Sequence, residues 1–406
     1  MLRLVSLLGF FVMIGLLYAL SRERRAINWR LVGTGVLIQG VLGVVFLSWT
    51  KGRDALWGVG EGFKVFLGVA GKGTEFVFGG LAGANESLGF IFATQVLPTL
   101  IFFSSFMAVL YHLGVMQFIV RIMAGLMVRV MGTSGSESLS ACGNIFVGQT
   151  EAPLMVKPYL GRMTLSELHA IMTGGFCTIA GGVFALYVGF GVEAGHLMVA
   201  SVMAVPAGLV CTKMLWPETE ESETMGTVAH TAKSEAKSPV EAAANGAIDG
   251  LKLALNVGAM LIAFLGIVAV INWGLSAVPM WGEQVLSLEL ILSWLFAPVA
   301  AVMGVPGDDI MNLSELLGKK IVLTELIAYQ GMGEMVDAGA ITPRTKMIAS
   351  FALCGFANLG SVAIQIGGLG AMAPERRSDI ARIAVRAMWA GAIATCMTAC
   401  LAGLMG

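Results

Sequence analysis

Apolar runs long enough to cross a membrane are the feature that most constrains the fold of this chain. A helix needs roughly 20 such residues to span the hydrocarbon core of a bilayer. Of the 406 residues, 57% are apolar and 13% are charged, whereas about 25% are charged in an ordinary soluble chain. No alternating ten-residue pattern occurs, so helices are favoured over a barrel. The sequence predicts an all-α polytopic membrane protein embedded in a lipid bilayer.

Charge and cysteine content exclude several functions. The formal net charge of −1 argues against a nucleic-acid partner, because no basic face is available to neutralise phosphates. The first apolar run lacks a basic segment before it and is followed by arginines, so a retained helix is predicted rather than a cleaved signal peptide. The six cysteines have no metal-ligand spacing and are predicted to be buried free thiols: Cys142, Cys177, Cys211, Cys354, Cys396 and Cys400.

Eight transmembrane helices are predicted. They cover residues 2–20, 31–49 and 88–113, a broken helix from residue 164, residues 197–216 and 248–273, a second broken helix over 345–372, and residues 380–404. Arginines after the first span and at Arg376 and Arg377 place those loops in the cytoplasm. Both termini are therefore predicted on the periplasmic side of a bacterial inner (plasma) membrane. Residues 51–84 mix charges with apolar residues at helical spacing, which predicts an interfacial helix.

A polar segment at residues 143–160 interrupts the apolar sequence and reads GNIFVGQTEAPLMVKPYL. Unpaired polar groups are costly in lipid, so this segment should face protein, a cavity or a bound solute. Together with the stretch before it, it describes a re-entrant hairpin, whose irregular backbone requires burial or a cavity. The capping box Thr164-Leu-Ser-Glu167 begins the next helix. Four glycines in that helix indicate either close packing or an unwound turn.

The second half of the chain repeats this plan. Residues 286–303 are apolar, residues 304–309 form a polar tip, and Asn312-Leu-Ser-Glu315 is predicted to cap the second arm of another re-entrant hairpin. Hairpin, broken helix and straight helix thus occur twice with opposite orientation, the arrangement typical of secondary transporters. The predicted divisions are N-terminal scaffold and interfacial helices at 1–113, a first repeat at 114–216, a hydrophilic cytoplasmic linker at 217–245, a scaffold helix at 246–280 and a second repeat at 281–406.

Polar residues near the two hairpins are the candidates for a binding site. Gln149, Thr150 and Glu151 follow the first tip, where an amide offers both a donor and an acceptor and a helix N-terminus favours a carboxylate. A tip that satisfies its own backbone is the alternative. Glu325 has no basic residue one helical turn away, so it is either an acceptor for sugar hydroxyls or a buried, protonated structural residue. On the second broken helix, Asn358 and Ser361 offer hydrogen-bonding groups, and Phe356 offers a ring for stacking.

Three segments make a family resemblance specific. The runs GNIFVGQTEAPLMVKPYL, MTGGFCTIAGGV and CGFANLGSVAIQIGGLGAMAPERR resemble signature segments of the concentrative nucleoside transporter family, and the order of spans agrees over nearly the whole chain. The length resembles that of the bacterial, sodium-coupled members. The resemblance implies a homotrimer that imports a nucleoside such as uridine with a co-transported sodium ion, by an elevator-like motion and without an organic cofactor.

The resemblance also implies roles for individual residues. The nucleobase would contact Gln149, Thr150, Glu151, Val183 and Phe356, and the ribose would contact Glu325, Asn358 and Ser361. Sodium would be held by Asn144, the Val147 carbonyl, Thr178 and the Ile179 carbonyl, all hard oxygen ligands.

The chain departs from the family pattern at three positions. Thr324 stands where Asn is usual, and Gly182 and Gly360 stand where Ser is common. These differences could alter a contact near the ribose and the preference for particular bases. A proton-coupled symporter, an intramembrane enzyme that uses Glu151 and Glu325, and a channel remain the alternative functions.

Overall fold

A computed structural model describes residues 1–82, 91–95, 97–227, 236–278 and 285–406 of the chain. The first eight α-helices of these ranges are α1 Leu2–Leu20, α2 Trp29–Gly43, α3 Thr50–Phe78, α4 Phe92–Gln95, α5 Leu97–His112, α6 Val115–Met131, α7 Gly135–Gly143 and α8 Leu165–Cys177. The remaining nine are α9 Gly181–Gly189, α10 Ala194–Leu215, α11 Pro239–Leu275, α12 Leu288–Val302, α13 Ile310–Val322, α14 Glu325–Asp337, α15 Pro343–Ala352, α16 Leu359–Met372 and α17 Arg377–Met405. The described residues contain no strand beyond one isolated bridge, so the all-α prediction is confirmed.

Five helical segments within the described ranges are long and apolar enough to cross a membrane: Leu2–Leu20, Trp29–Ser48, Phe92–His112, Ala194–Leu215 and Pro374–Met405. They support a multi-pass membrane protein. The predicted span at 88–113 begins outside the described residues, as does part of the predicted linker at 217–245. Helix α11 begins at Pro239, inside that linker, because Ser238 caps it by accepting a hydrogen bond from the Glu241 amide at 3.1 Å.

Two sets of helices pack closely within the bundle, and α3, α6 and α9 contact members of both. Helices α5 and α11 make the most extensive helix pair of the described residues. Gly246 and Gly250 let their backbones approach, since a Cβ on either residue would lie within 3 Å of the backbone of α5. A larger group, called here the hairpin body, consists of α1, α2, α7, α8, α10 and α12 to α17. Helices α1 and α2 therefore pack on the same side as both hairpins, against α17 and α10 respectively.

The first hairpin is shorter than the sequence suggests. Helix α6 ends at Gly132, whose φ of +72° suits glycine, and a new helix, α7, starts after Ser134. Ser134 and Glu137 form a capping box there. The arms of the hairpin are thus α7 and a 3₁₀ segment at Ala152–Arg162, which contains Pro153 and Pro158. Residues 144–151 form the tip between these arms.

The second hairpin also turns at a different position. Its arms are α13 and α14, and they meet at Leu323 and Thr324, so the predicted tip at residues 304–309 instead joins α12 to α13. The predicted cap at Asn312 is wrong: this residue lies within α13, and its amide donates to the Ala340 carbonyl at 2.8 Å. Thr324 caps α14 instead, since its hydroxyl accepts from the Ile327 amide at 3.3 Å. Glu325 is therefore the first residue of a helix.

The two broken helices cross at their breaks. The first is interrupted at residues 178–180, between α8 and α9, and the second at residues 353–358, between α15 and α16. At the crossing, the Phe356 amide donates to the Thr178 carbonyl at 3.2 Å. A Cβ on Gly355 would lie 2.6 Å from the Phe176 carbonyl oxygen, so only glycine fits this approach. Unwinding and close packing, the two alternatives for the glycines of the first broken helix, both occur, since a Cβ on Gly175 would lie 2.7 Å from Gln149 Cβ.

Two further predictions concern caps and thiols. The capping box at Thr164 and Glu167 is present at the start of α8. All six cysteines are buried and free. The predicted interfacial segment at 51–84 ends outside the described residues; its described part, up to residue 82, contains one long helix, α3, whose described side chains are mostly exposed.

Candidate functional site

The first part of the site lies where the first hairpin meets the break in the first broken helix. Asn144 is fully buried, and its amide donates to the Ser140 carbonyl at 3.0 Å. Its carbonyl oxygen Oδ1 is buried and has no hydrogen-bond partner among the described residues. Thr178 lies one turn beyond Gly174, and its hydroxyl donates to the Gly174 carbonyl at 2.8 Å. Asn144 also approaches Gly174, because a Cβ there would lie 3.3 Å from Asn144 Nδ2.

An orphaned buried acceptor is uncommon, because burying an unpaired oxygen costs about 1–3 kcal/mol. A cation satisfies an amide oxygen directly. Asn144 and Thr178 therefore fit an alkali ion by chemistry, and backbone carbonyls of the unwound segments supply further oxygen atoms. Ile179, the next predicted ligand, is 1% exposed, and Val147 lies in the tip between the hairpin arms.

A direct hydrogen bond joins the first hairpin to the second broken helix. Gln149 Nε2 donates to Ser361 Oγ at 3.2 Å, although 212 residues separate them in the chain. Gln149 is 9% exposed and Ser361 is 3% exposed, so this contact is largely shielded from water. The residues predicted to hold the base and those predicted to hold the sugar thus lie side by side.

The second part of the site is a buried carboxylate with two donors. Glu325 accepts from the Tyr187 hydroxyl at 2.9 Å and from Asn358 Nδ2 at 2.8 Å. Asn358 caps α16, and its Oδ1 accepts from the Ser361 amide at 2.7 Å. A polar path therefore runs from Gln149 to the Ser361 hydroxyl, and from the Ser361 backbone amide through Asn358 to Glu325. Such connected polar groups hold one another in fixed orientations.

The other predicted residues lie on or next to the elements that carry this path. The Thr150 hydroxyl donates to Glu151 at 3.0 Å, and Glu151 is exposed at the tip. Val183 is 7% exposed in the first turns of α9. Phe356 is half-buried at the crossing of the broken helices, where its backbone contacts Thr178.

Sequence reasoning missed two buried residues of this region, Tyr187 and Gln365. Tyr187 lies on α9, and its ring centroid is 4.5 Å from that of Tyr329. Gln365 donates to Gln149 Oε1 at 3.0 Å and to the Met172 carbonyl at 3.1 Å. Gln365 could have been noticed because it lies one helical turn after Ser361, on the same face of α16. The partner of Tyr187 is 138 residues away, and no local pattern indicates it.

Two helical hairpins and two broken helices around a buried polar path, together with the apolar helices, define a class of helical, multi-pass membrane protein. Comparisons with known proteins identify the family. The family description "Na+ dependent nucleoside transporter C-terminus" matches residues 196–403, its N-terminal counterpart matches residues 8–81, and "Nucleoside recognition" matches residues 93–194. The chain belongs to the concentrative, sodium-dependent nucleoside transporter family. Members of this family are transporters rather than enzymes, and this excludes the alternative of an intramembrane enzyme.

Individual relatives agree with this assignment. An "Uncharacterized transporter" of Haemophilus influenzae is 44% identical over 409 residues, covering 99% of this chain and 97% of that protein. The human "Sodium/nucleoside cotransporter 1" is 42% identical over 418 residues, covering 99% of this chain but 64% of the human protein. The chain thus spans less than two thirds of that mammalian relative.

Solved structures agree as well. The structure of CNTnw in an inward-facing substrate-bound state has a TM-score of 0.94 and 44% identity, covering 100% of this chain and 99% of that one. A variant of CNTnw in an outward-facing state has a TM-score of 0.94 and 43% identity, covering 100% and 98% of the two chains.

Proposed function

We propose that the protein is a secondary active transporter that imports nucleosides together with sodium. The observation that carries this proposal is the hydrogen bond from Gln149 to Ser361, because it makes one site from two distant segments. A nucleoside has a heterocyclic edge and a sugar with hydroxyl groups. The path supplies amide groups at one end and a carboxylate at the other, which suits those two parts.

In this proposal, the base lies against the first hairpin and the ribose lies against the second. Gln149, Thr150 and Glu151 hydrogen-bond the base, and Val183 and Phe356 provide its apolar surroundings. Glu325, Asn358 and Ser361 bind the ribose hydroxyls. Glu325 is suited to this role because a carboxylate accepts several hydrogen bonds and those to charged groups are stronger.

Sodium occupies the space between the first tip and the break in the first broken helix. Its proposed ligands are Asn144, the Val147 carbonyl, Thr178 and the Ile179 carbonyl. The unpaired oxygen of Asn144 supports this placement. Ion binding would order the tip that carries Gln149, so each ligand would raise the affinity of the other by the same factor.

Transport requires the site to open to each side of the membrane in turn. We infer that the hairpin body moves against the pair formed by α5 and α11, in an elevator-like motion with two re-entrant hairpins of opposite orientation. Helices α1 and α2 pack on α17 and α10, which favours assigning α1 and α2 to the moving part. Of the predicted membrane-spanning helices within 1–113, only α5 would then belong to the scaffold. A homotrimer in a bacterial inner membrane, with both termini in the periplasm, completes the proposal.

Uptake into proteoliposomes tests the function. Labelled uridine should accumulate above its external concentration when an inward sodium gradient is imposed, and choline in place of sodium at fixed pH should abolish this accumulation. Equal uptake in choline, driven instead by a pH gradient, would establish the proton-coupled alternative. Flux that equilibrates without accumulation and does not saturate would establish a channel.

A further inference from the structure

The amide of Gln149 is held at both ends by residues of one helix. Its nitrogen donates to Ser361 Oγ at 3.2 Å, and its oxygen accepts from Gln365 Nε2 at 3.0 Å. Ser361 and Gln365 are four residues apart on α16 and therefore lie on one face, one turn apart. The two hydrogen bonds together fix the position of the Gln149 amide.

A backbone carbonyl fixes the direction of these hydrogen bonds. Gln365 Nε2 also donates to the Met172 carbonyl at 3.1 Å. A carbonyl can only accept, so it requires the NH₂ group of Gln365 on its side. That NH₂ group then faces Gln149 Oε1 as well, which leaves the NH₂ group of Gln149 to point towards Ser361. Each amide orientation thus follows from the one before it.

The cost of this arrangement is visible at Gln365. Gln365 is 1% exposed, and its own carbonyl oxygen is buried and has no hydrogen-bond partner among the described residues. Turning the amide over would place that oxygen against two other acceptors, Met172 O and Gln149 Oε1. The side chain therefore gives up one hydrogen bond to donate two.

The backbone is shaped to hold the pair of glutamines. A Cβ on Gly175 would lie 2.7 Å from Gln149 Cβ and 2.7 Å from Gln365 Nε2. No side chain larger than hydrogen fits at this position without displacing one of the two. Gly175 and Met172 belong to α8, so both this helix and α16 pack against Gln149.

We infer that Gln365 is a positioning residue that sets base selectivity by fixing the orientation of the Gln149 amide. This inference rests on the proposed function, in which Gln149 contacts the base. Each end of the Gln149 amide keeps further capacity, because NH₂ carries two hydrogens and the oxygen two lone pairs. Uracil presents an N–H beside an acceptor oxygen, whereas cytosine presents an acceptor nitrogen beside an NH₂ group. A fixed amide matches one of these patterns and opposes the other.

Glutamate at this position should reverse the orientation. Deprotonated, it can only accept; protonated, it donates its one hydrogen to Met172 O and accepts from Gln149. Either way Gln149 turns its NH₂ group towards residue 365. In Gln365→Glu the ratio of the uridine to the cytidine dissociation constant should change about tenfold. The change should favour the nucleoside that the wild type binds less well, and it corresponds to 1.4 kcal/mol.

Calorimetric titration of the full-length protein in detergent with sodium present measures both constants. Gln365→Met, which neither donates to Gln149 nor fixes its amide, should weaken both nucleosides and bring their ratio towards one. Gln330→Met is the matched control, since Gln330 is exposed on α14 and donates only to Glu334 in the described contacts, at 3.2 Å. It should leave both constants unchanged.

Two results would overturn the inference. One is a ratio within about twofold of wild type in both Gln365 variants while they still bind nucleosides. The other is loss of all binding in Gln365→Glu with a wild-type ratio in Gln365→Met. Failure of the wild type itself to bind any nucleoside would instead refute the proposed function, so the two failures are distinguishable.

Discussion

The two hairpins meet at one site but differ in how their polar groups are satisfied. At the first tip, the oxygen of Asn144 is buried without a partner, and Glu151 is exposed. At the second, both oxygens of Glu325 accept hydrogen bonds. An unsatisfied acceptor creates a demand for a ligand, whereas a satisfied carboxylate is already held in place. In the proposed function, the first hairpin would respond to ion binding and the second would present a fixed carboxylate.

The bases of the two hairpins also differ in the groups that hold them. Lys213 lies 2.8 Å from Glu137 and 3.1 Å from Glu218, so an ion-pair cluster ties the first hairpin to α10 and the following segment. At the base of the second hairpin, Asp309 accepts from the Thr342 amide at 3.0 Å and from the hydroxyls of Thr342 and Thr345. A carboxylate is thus held at both bases, by a lysine ammonium group at the first and by the donors of two threonines at the second.

The largest expected effect comes from removing the fixed carboxylate. In Glu325→Gln, an NH₂ group would face one of the two donors, and charged hydrogen bonds worth about 1.5–3 kcal/mol each would be lost to the ribose. Uridine affinity should fall by about 100-fold or more. Calorimetry with uridine measures this, and Glu334→Gln, an exposed change on the same helix, is the control. Normal uridine binding by Glu325→Gln would make Glu325 a structural residue.

The next effect tests the unsatisfied acceptor of the first hairpin. Asn144→Ala removes the oxygen assigned to sodium, so replacing choline by sodium should change uridine affinity by less than about twofold, even though uridine still binds. Asn245→Ala, an exposed change near the start of α11, should retain the sodium effect. An undiminished sodium effect in Asn144→Ala would remove Asn144 from the ion site.

A smaller effect is expected from the donor that sequence reasoning missed. Tyr187→Phe removes one hydrogen bond to Glu325 but leaves the carboxylate, which should weaken uridine by about fivefold, or roughly 1 kcal/mol. The ratio between uridine and cytidine should not change, because the base end is untouched. Tyr329→Phe is the matched control, since its hydroxyl donates to the Ser350 carbonyl at 2.8 Å rather than to Glu325. Equal losses in the two variants would indicate a general packing effect.

The smallest effect concerns the base of the second hairpin. Burial alone would raise the pKa of the Asp309 carboxyl, but hydrogen bonds from Thr342 and Thr345 lower it below its ordinary value. Because the pKa is lower in the folded state, the stabilisation is present above the unfolded-state pKa and is lost as pH falls through the folded-state pKa. Asp309→Asn should lower the melting temperature at pH 7, with a loss of about 1 kcal/mol. The difference from wild type should shrink below about pH 4; a pH-independent difference would contradict this.

Much of the fold could be predicted from the sequence because long apolar runs and glycine breaks are local signals. The capping box at Thr164 was recognised for the same reason. The turn of the second hairpin was misplaced because Leu323 breaks the helix inside an apolar stretch, where composition alone suggests continuity. Asn312 has the pattern of a cap, yet its side chain bonds to a carbonyl 28 residues away, which no local pattern contains.

The candidate site, like the fold, could be predicted only in part from the sequence. Gln149, Glu325 and Ser361 were found as unusual polar groups in apolar surroundings, whereas Val183 and the sodium ligands came only from the family resemblance. The structure brings Gln149 and Ser361 together. The partners Tyr187 and Gln365 were missed because tyrosine and glutamine occur in many buried contexts. Their importance comes from which groups they meet across the fold.

The most direct test of the account is calorimetric titration of the wild-type protein with uridine, once in sodium and once in choline at the same pH and ionic strength. If the first hairpin responds to the ion and the second presents a fixed carboxylate, as proposed, uridine should bind at least about tenfold more tightly in sodium. Sodium should bind more tightly by the same factor at saturating uridine than in the absence of uridine. Equal uridine affinity in the two salts would contradict the claim that ion and nucleoside share one coupled site.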